Sequence, residues 1–140
     1  MHTSLDLSGL RKAIAAFESC LVVYARRGGE KAADDEMEAL RAGVIQSFEF
    51  TYELCWKHMK RWIEMNVNPE SVDGVPRREL FRVCAENKLL TDVDEWMGFH
   101  GARNSTSHIY NQNMALEVFG VARKFLPYAK DCLSRLEEHQ

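Results

Sequence analysis

An all-α fold, an antiparallel up-and-down bundle of about five helices paired as a two-fold dimer, is the architecture this sequence predicts. Apolar residues recur at helical spacing in five segments, and no segment alternates as a half-buried strand does. The third observation concerns the dimer: the one histidine of the chain's most unusual motif cannot be both proton donor and proton acceptor in a single step. The chain has 140 residues, 46% hydrophobic and 28% charged, which suits one globular domain over residues 1–140.

Helix one is predicted from about Ser8 to Arg26, with Leu10, Ile14, Phe17, Leu21 and Tyr24 on one stripe. The segment RRGGEKAADD then breaks the pattern, with Asp34 or Asp35 as the N-cap of the second helix. Helix two, from about Asp35 to Met65, is the long one. Val44, Phe48, Tyr52, Cys55, Trp56, Met59, Trp62 and Ile63 share an arc of about 120° on it. Glu49, Glu53, Lys57 and Lys60 fill its polar side, and Phe50 and Leu54 lie nearly opposite the apolar centre. That second apolar pair suggests a partner surface, although scattered exposed apolar residues are ordinary.

Pro76 opens helix three, which should reach about Lys88 and bury Leu80, Phe81, Val83 and Cys84. Helix four, from about Asp92 to Arg103 or Asn104, carries Gly98 and Gly101. Each glycine weakens a helix by about 1 kcal/mol relative to alanine, so each needs a packing or functional reason. Helix five is expected from about Gln112 to Glu137, with Asn111 as N-cap and Met114, Val118, Val121, Phe125, Cys132 and Leu136 facing the core. Pro127 falls on its polar side and should bend this helix rather than end it.

Composition excludes several function classes. No run of 18 apolar residues exists, so no membrane-spanning helix is expected. The first residues, MHTSLDLSGLRK, lack the charged and apolar regions of a secretory signal, which makes the cytoplasm the expected location. Cys20, Cys55, Cys84 and Cys132 are widely spaced, with no Cys-x-x-Cys pair, so the expectation is four reduced thiols and neither metal nor cofactor. The net charge of −3 does not announce a nucleic-acid binder. Basic clusters at Arg26-Arg27, Lys57 to Arg61, and Arg77-Arg78 with Arg82 read first as solvated helix faces.

The segment ARNSTSHIYN, residues 102 to 111, stands apart. On the wheel of helix four, Arg103 projects between Phe99 and Trp96, with His100 one turn back, so a cleft there would include His100 and Trp96. An inward-facing arginine requires a carboxylate, a phosphate or solvent in a cleft, because a bare buried charge is costly. Arg103 and His108 converge only if the chain leaves the helix between them, and Asn104 to Ser107 suit such a turn. The pair fits attack on a phosphodiester. Histidine exchanges protons near neutrality with an RNA 2′-hydroxyl or the leaving 5′-oxygen, and arginine matches phosphate oxygens with a planar fork. Such chemistry needs no metal. Arg-x4-His-x-Tyr arises by chance about 0.01 times in a chain of this composition. The bland alternative is a loop histidine bonded to backbone and a packed Tyr110 with a wet hydroxyl.

Three blocks, FEFTYELCWK (48 to 57), VPRRELFRVCAENKLL (75 to 90) and RNSTSHIYN (103 to 111), resemble the HEPN superfamily. Within it they are similar to the nucleotidyltransferase substrate-binding proteins akin to HepT toxins. The resemblance runs from about residue 8 to 137 and implies a dimerising helical bundle. The family motif falls on Arg103, Asn104 and His108 as catalytic residues and continues to Tyr110. The resemblance implies a metal-independent ribonuclease, the toxin of a type VII-like toxin–antitoxin pair. Its antitoxin, a minimal nucleotidyltransferase (MNT), would silence it by transferring AMP to Tyr110. The alternative it implies is a non-catalytic subunit presenting substrate to the transferase. Relatives often carry an acidic residue before the motif arginine; this chain has Ala102.

Overall fold

The computed structural model describes residues 4–28 and 34–140. Among the described residues there are six α-helices and no strand: α1 (Ser8–Gly28), α2 (Asp34–Asn66), α3 (Arg77–Glu86), α4 (Val93–Ser105), α5 (Gln112–Ala122) and α6 (Leu126–Glu138). A 3₁₀ turn, Thr106–His108, comes directly after α4. Residues 29–33, the centre of the predicted break after helix one, lie outside the described residues. No described helix is long and apolar enough to cross a membrane.

The predicted stripes become the core. Leu10, Ile14 and Phe17 of α1 are buried, and so are all the stripe residues of α2 except Trp56, which is half-buried. Leu80, Phe81, Val83 and Cys84 of α3 are buried as expected. α1 packs along α2, α6 lies against both, and α4 with α5 closes the other side of α2. Acidic residues Asp34, Asp35 and Glu36 occupy the first turn of α2, where they complement the helix dipole. Asn111 caps α5 by accepting from Met114 N at 2.9 Å.

α3 stops at Glu86, two residues short of the expected end. Lys88 takes a left-handed conformation (φ 64°), and the chain turns back with Lys88 N donating to Ala85 O and Leu89 N to Cys84 O. This is the Schellman arrangement, formed here without its usual glycine. Asp92 is also left-handed (φ 63°) and caps α4 by accepting from Glu95 N. Asp tolerates that region better than most residues. The glycines of α4 have no packing role: a Cβ on Gly98 or Gly101 would meet open space.

The single long helix five is corrected: the chain ends α5 at Ala122 and restarts at Leu126. Pro127 has no N–H for the Arg123 carbonyl, and its ring crowds that carbonyl. The chain responds with tight i→i+3 bonds, Lys124 N to Val121 O and Phe125 N to Ala122 O, before Ala129 N resumes the helix on Phe125 O. The turn drives Phe125 into the centre of the core. Its ring centroid lies 4.9 Å from Phe99, 5.3 Å from Trp96, 5.4 Å from Phe48 and 6.0 Å from Tyr52. Phe125→Ala should therefore destabilise the fold by about 3–5 kcal/mol, read as a lower denaturant midpoint at unchanged slope.

Candidate functional site

The C-terminal half of α4 faces the middle of α2, and this junction gathers the polar side chains. Arg103 reaches back across it. Its Nε donates to Glu53 Oε1 at 3.1 Å, and its Nη2 lies 3.5 Å from Glu49 Oε1. Glu49 and Glu53 stand one turn apart on α2, so a single guanidinium spans both. The inward-facing arginine has thus found carboxylates. Glu53 also accepts from Trp56 Nε1 at 3.1 Å and lies 3.7 Å from Lys57 Nζ.

The hydroxyl side chains end α4. Ser105 Oγ donates to Gly101 O, Thr106 Oγ1 to Arg103 O and Ser107 Oγ to Asn104 O. They add side-chain donors to carbonyls of the last turns, among them Arg103 O, which also accepts from Thr106 N. The chain leaves the helix after Ser105 and places His108 at the end of the 3₁₀ turn, exposed. His108 Nδ1 lies 3.3 Å from Tyr110 Oη, and Tyr110 is 80% exposed. Among the described residues no hydrogen bond joins His108 to Arg103. Each has its own partner.

His100 is half-buried one turn before Asn104. Its Nδ1 lies 2.9 Å from Tyr52 Oη and 3.4 Å from Arg77 Nη1, and its Nε2 lies 3.3 Å from Asn104 Nδ2. Arg77 Nη1 donates to Tyr52 Oη at 3.1 Å, and its guanidinium stacks 3.7 Å above the Trp56 ring. Burial, then the positive charge of Arg77, holds the His100 pKa below its ordinary 6.5; Glu53 opposes this and Arg103 adds to it. Burial likewise pushes the Tyr52 phenol up, with Arg77 opposing. A depressed histidine stays neutral in the fold while the unfolded chain takes up its proton near 6.5. Stability should then fall as pH drops below that value towards the folded pKa, and His100→Gln should flatten this part of a stability-versus-pH curve.

Trp96, expected in the cleft, is 1% exposed and packs between Phe81, Phe99 and Phe125. It belongs to the core, because the side of α4 that bears it faces the aromatic cluster. An open groove of about 450 Å³ lies elsewhere, between α2 and the segment after α4. Arg41, Ile45, Glu49, Ile109 and Tyr110 line it.

A family model described as nucleotidyltransferase substrate binding protein like matches residues 5–138. The chain belongs to this family. A probable ribonuclease HepT of Haemophilus influenzae is 29% identical over 140 residues, which span 99% of this chain and 96% of that protein. A solved Haemophilus influenzae structure, described as the fold of a substrate binding domain of a nucleotidyltransferase, matches with TM-score 0.88 and 29% identity. That match covers 94% of this chain and 99% of the other. A crystal structure from Thermus thermophilus shares the fold at TM-score 0.62 and 24% identity, over 86% of this chain and 98% of its own.

In this member of the family, sequence reasoning did not reach Tyr52 and Arg77 as site residues. Tyr52 reads as core, and it is core, but a buried phenol needs a partner for its hydroxyl, which was the available signal. Nothing in the sequence shows which of the clustered arginines crosses to α2. The cysteines are free; Cys55, Cys84 and Cys132 are buried and Cys20 is half-buried. Burial pushes the Cys84 thiol up to about 12.

Proposed function

We propose that this protein is a metal-independent ribonuclease that works beside a minimal nucleotidyltransferase, the pair forming a toxin–antitoxin system of the type VII kind in the cytoplasm. In this reading Arg103 holds the scissile phosphate, and Asn104 supplies a further donor. His108 takes the proton of the 2′-hydroxyl or protonates the 5′-oxygen. The 2′-oxygen–phosphorus bond forms as the phosphorus–5′-oxygen bond breaks, leaving a 2′,3′-cyclic phosphate. The supporting observation is the exposed His108–Tyr110 pair at 3.3 Å, five and seven residues past an arginine anchored by Glu49 and Glu53. Together with the similarity to a probable ribonuclease HepT, it favours a reactive edge over a packed loop. Incubation of the purified protein with cellular RNA in chelator tests the reading; intact RNA would end it.

A second reading is a non-catalytic subunit that presents substrate to the transferase. It is favoured by the occupied fork of Arg103 and because, among the described residues, no hydrogen bond joins Arg103 to His108. The dimer belongs to the first reading. Phe50, 61% exposed, sits on α2 between Gln46, Glu49 and Glu53, the same strip that holds Arg103. A second copy covering Phe50 brings a second His108 to the groove and supplies both proton transfers. Light scattering at micromolar concentration should give twice the chain mass, and Phe50→Glu should return it to the monomer mass.

A further inference from the structure

The contacts around His100 fix where its proton lies, and with it the orientation of Asn104. A guanidinium carries donors only. With Arg77 Nη1 at 3.4 Å from Nδ1, a proton on Nδ1 would point donor at donor. The buried Tyr52 hydroxyl gives a second reason. It already accepts from Arg77 at 3.1 Å, so its own proton needs an acceptor, and among the described residues Nδ1 at 2.9 Å is the one in reach. Nδ1 is therefore the acceptor and Nε2 carries the proton. Asn104 Nδ2 stands 3.3 Å from Nε2, where Nε2–H would meet it donor to donor, so the amide must turn over by a half-turn to bring its oxygen inward. The two orientations of a carboxamide differ by a half-turn and occupy the same heavy-atom positions.

We propose that His100 is a positioning residue, which as the neutral Nε2–H tautomer turns the Asn104 carboxamide so that its NH₂ faces outward as a phosphate donor beside Arg103. The consequence for RNA rests on the ribonuclease reading; the tautomer does not. Asn104 is exposed and directly adjoins Arg103 in the chain, so its outward NH₂ adds a neutral donor next to a charged fork. The chain of contacts starts deep in the fold. Trp56 seats Arg77, Arg77 and Tyr52 set the His100 proton, and His100 sets Asn104. The charged and titratable groups that face His100 are Arg77 from α3, Tyr52 and Glu53 from α2, and Arg103 from its own helix. The two arginines disfavour a second proton on the ring, which would force Nδ1–H against Arg77.

Two measurements on the full chain test this. Nitrogen-15 NMR of the imidazoles at neutral pH should show His100 with Nδ1 bare and Nε2 protonated, and Tyr52→Phe should lose that single-tautomer signature. Binding of a non-cleavable 2′-O-methyl RNA, followed by anisotropy, should weaken about tenfold in Asn104→Ala. His100→Ala should weaken it as much, and the double variant no further. His100→Gln, whose amide N–H replaces Nε2–H, should restore most of the affinity. A proton on Nδ1 overturns the proposal, and so do additive losses in the double variant. Wild-type protein that binds no RNA overturns the ribonuclease reading, and the NMR result then decides the His100–Asn104 geometry by itself.

Discussion

In the ribonuclease reading, Arg103→Ala should lower RNA cleavage by about 10²–10³-fold and His108→Ala to a similar extent, with helix content unchanged in both. The two losses have different origins. His108 is exposed and, among the described residues, its side chain bonds to Tyr110 alone, so its removal takes a proton-transfer group and little structure. Arg103 is half-buried between Glu49 and Glu53, and its removal leaves two carboxylates one turn apart with Lys57 as the nearby cation. Half-exposed pairs of this kind contribute on the order of 1 kcal/mol, so the fold survives while the phosphate loses its fork. In that reading, RNA phosphate displaces a carboxylate from the guanidinium as it binds. Glu49→Gln and Glu53→Gln should therefore tighten RNA binding at low salt, opposite in sign to the arginine variant. A merely structural ion pair would weaken binding in all three. Wild-type products should end in 2′,3′-cyclic phosphate, and chelator should leave the wild-type rate unchanged. Full cleavage by Arg103→Ala or His108→Ala eliminates the mechanism.

The helical period carried most of the fold. α1 and α2 lie within a residue or two of their predicted ends, because apolar stripes of 21 and 33 residues average out local noise. The same periodicity concealed the break at Arg123–Phe125. Ala122, Phe125, Ala129, Cys132 and Leu136 are all buried, so the stripe runs through the interruption as though the helix were continuous. Only Pro127 marked the place, and a missing N–H specifies a lost bond rather than the size of the bend. In α4 the wheel placed Arg103 on the inward side, and two carboxylates met it there. It placed Trp96 beside Arg103, but a stripe cannot tell a cleft wall from the core behind it. The Tyr52–Arg77–His100 contacts join three helices. Contacts of that range depend on how helices cross, which no spacing within one helix encodes.

Adenylylation of Tyr110 by the partner transferase should lower RNA cleavage by at least about tenfold. Tyr110 is 80% exposed, so its hydroxyl is open to another protein's active site without unfolding. In the transfer the phenol oxygen attacks the α-phosphorus of ATP, the bond to the β-phosphate breaks, and pyrophosphate leaves. The phenolic proton goes to a base that the transferase must supply, since a phenol near pKa 10 is a poor nucleophile by itself. The product places a phosphodiester where Tyr110 Oη now meets His108 Nδ1 at 3.3 Å. Its negative charge competes with RNA phosphate for Arg103, and its base has the groove of about 450 Å³ beside Tyr110 to occupy. Both effects deny RNA the same edge of the protein. Tyr110→Phe keeps the ring, so it should retain cleavage of RNA and escape silencing. Mass spectrometry after incubation with the transferase and ATP locates the added AMP. AMP on another residue, or on Tyr110 with cleavage undiminished, defeats the prediction.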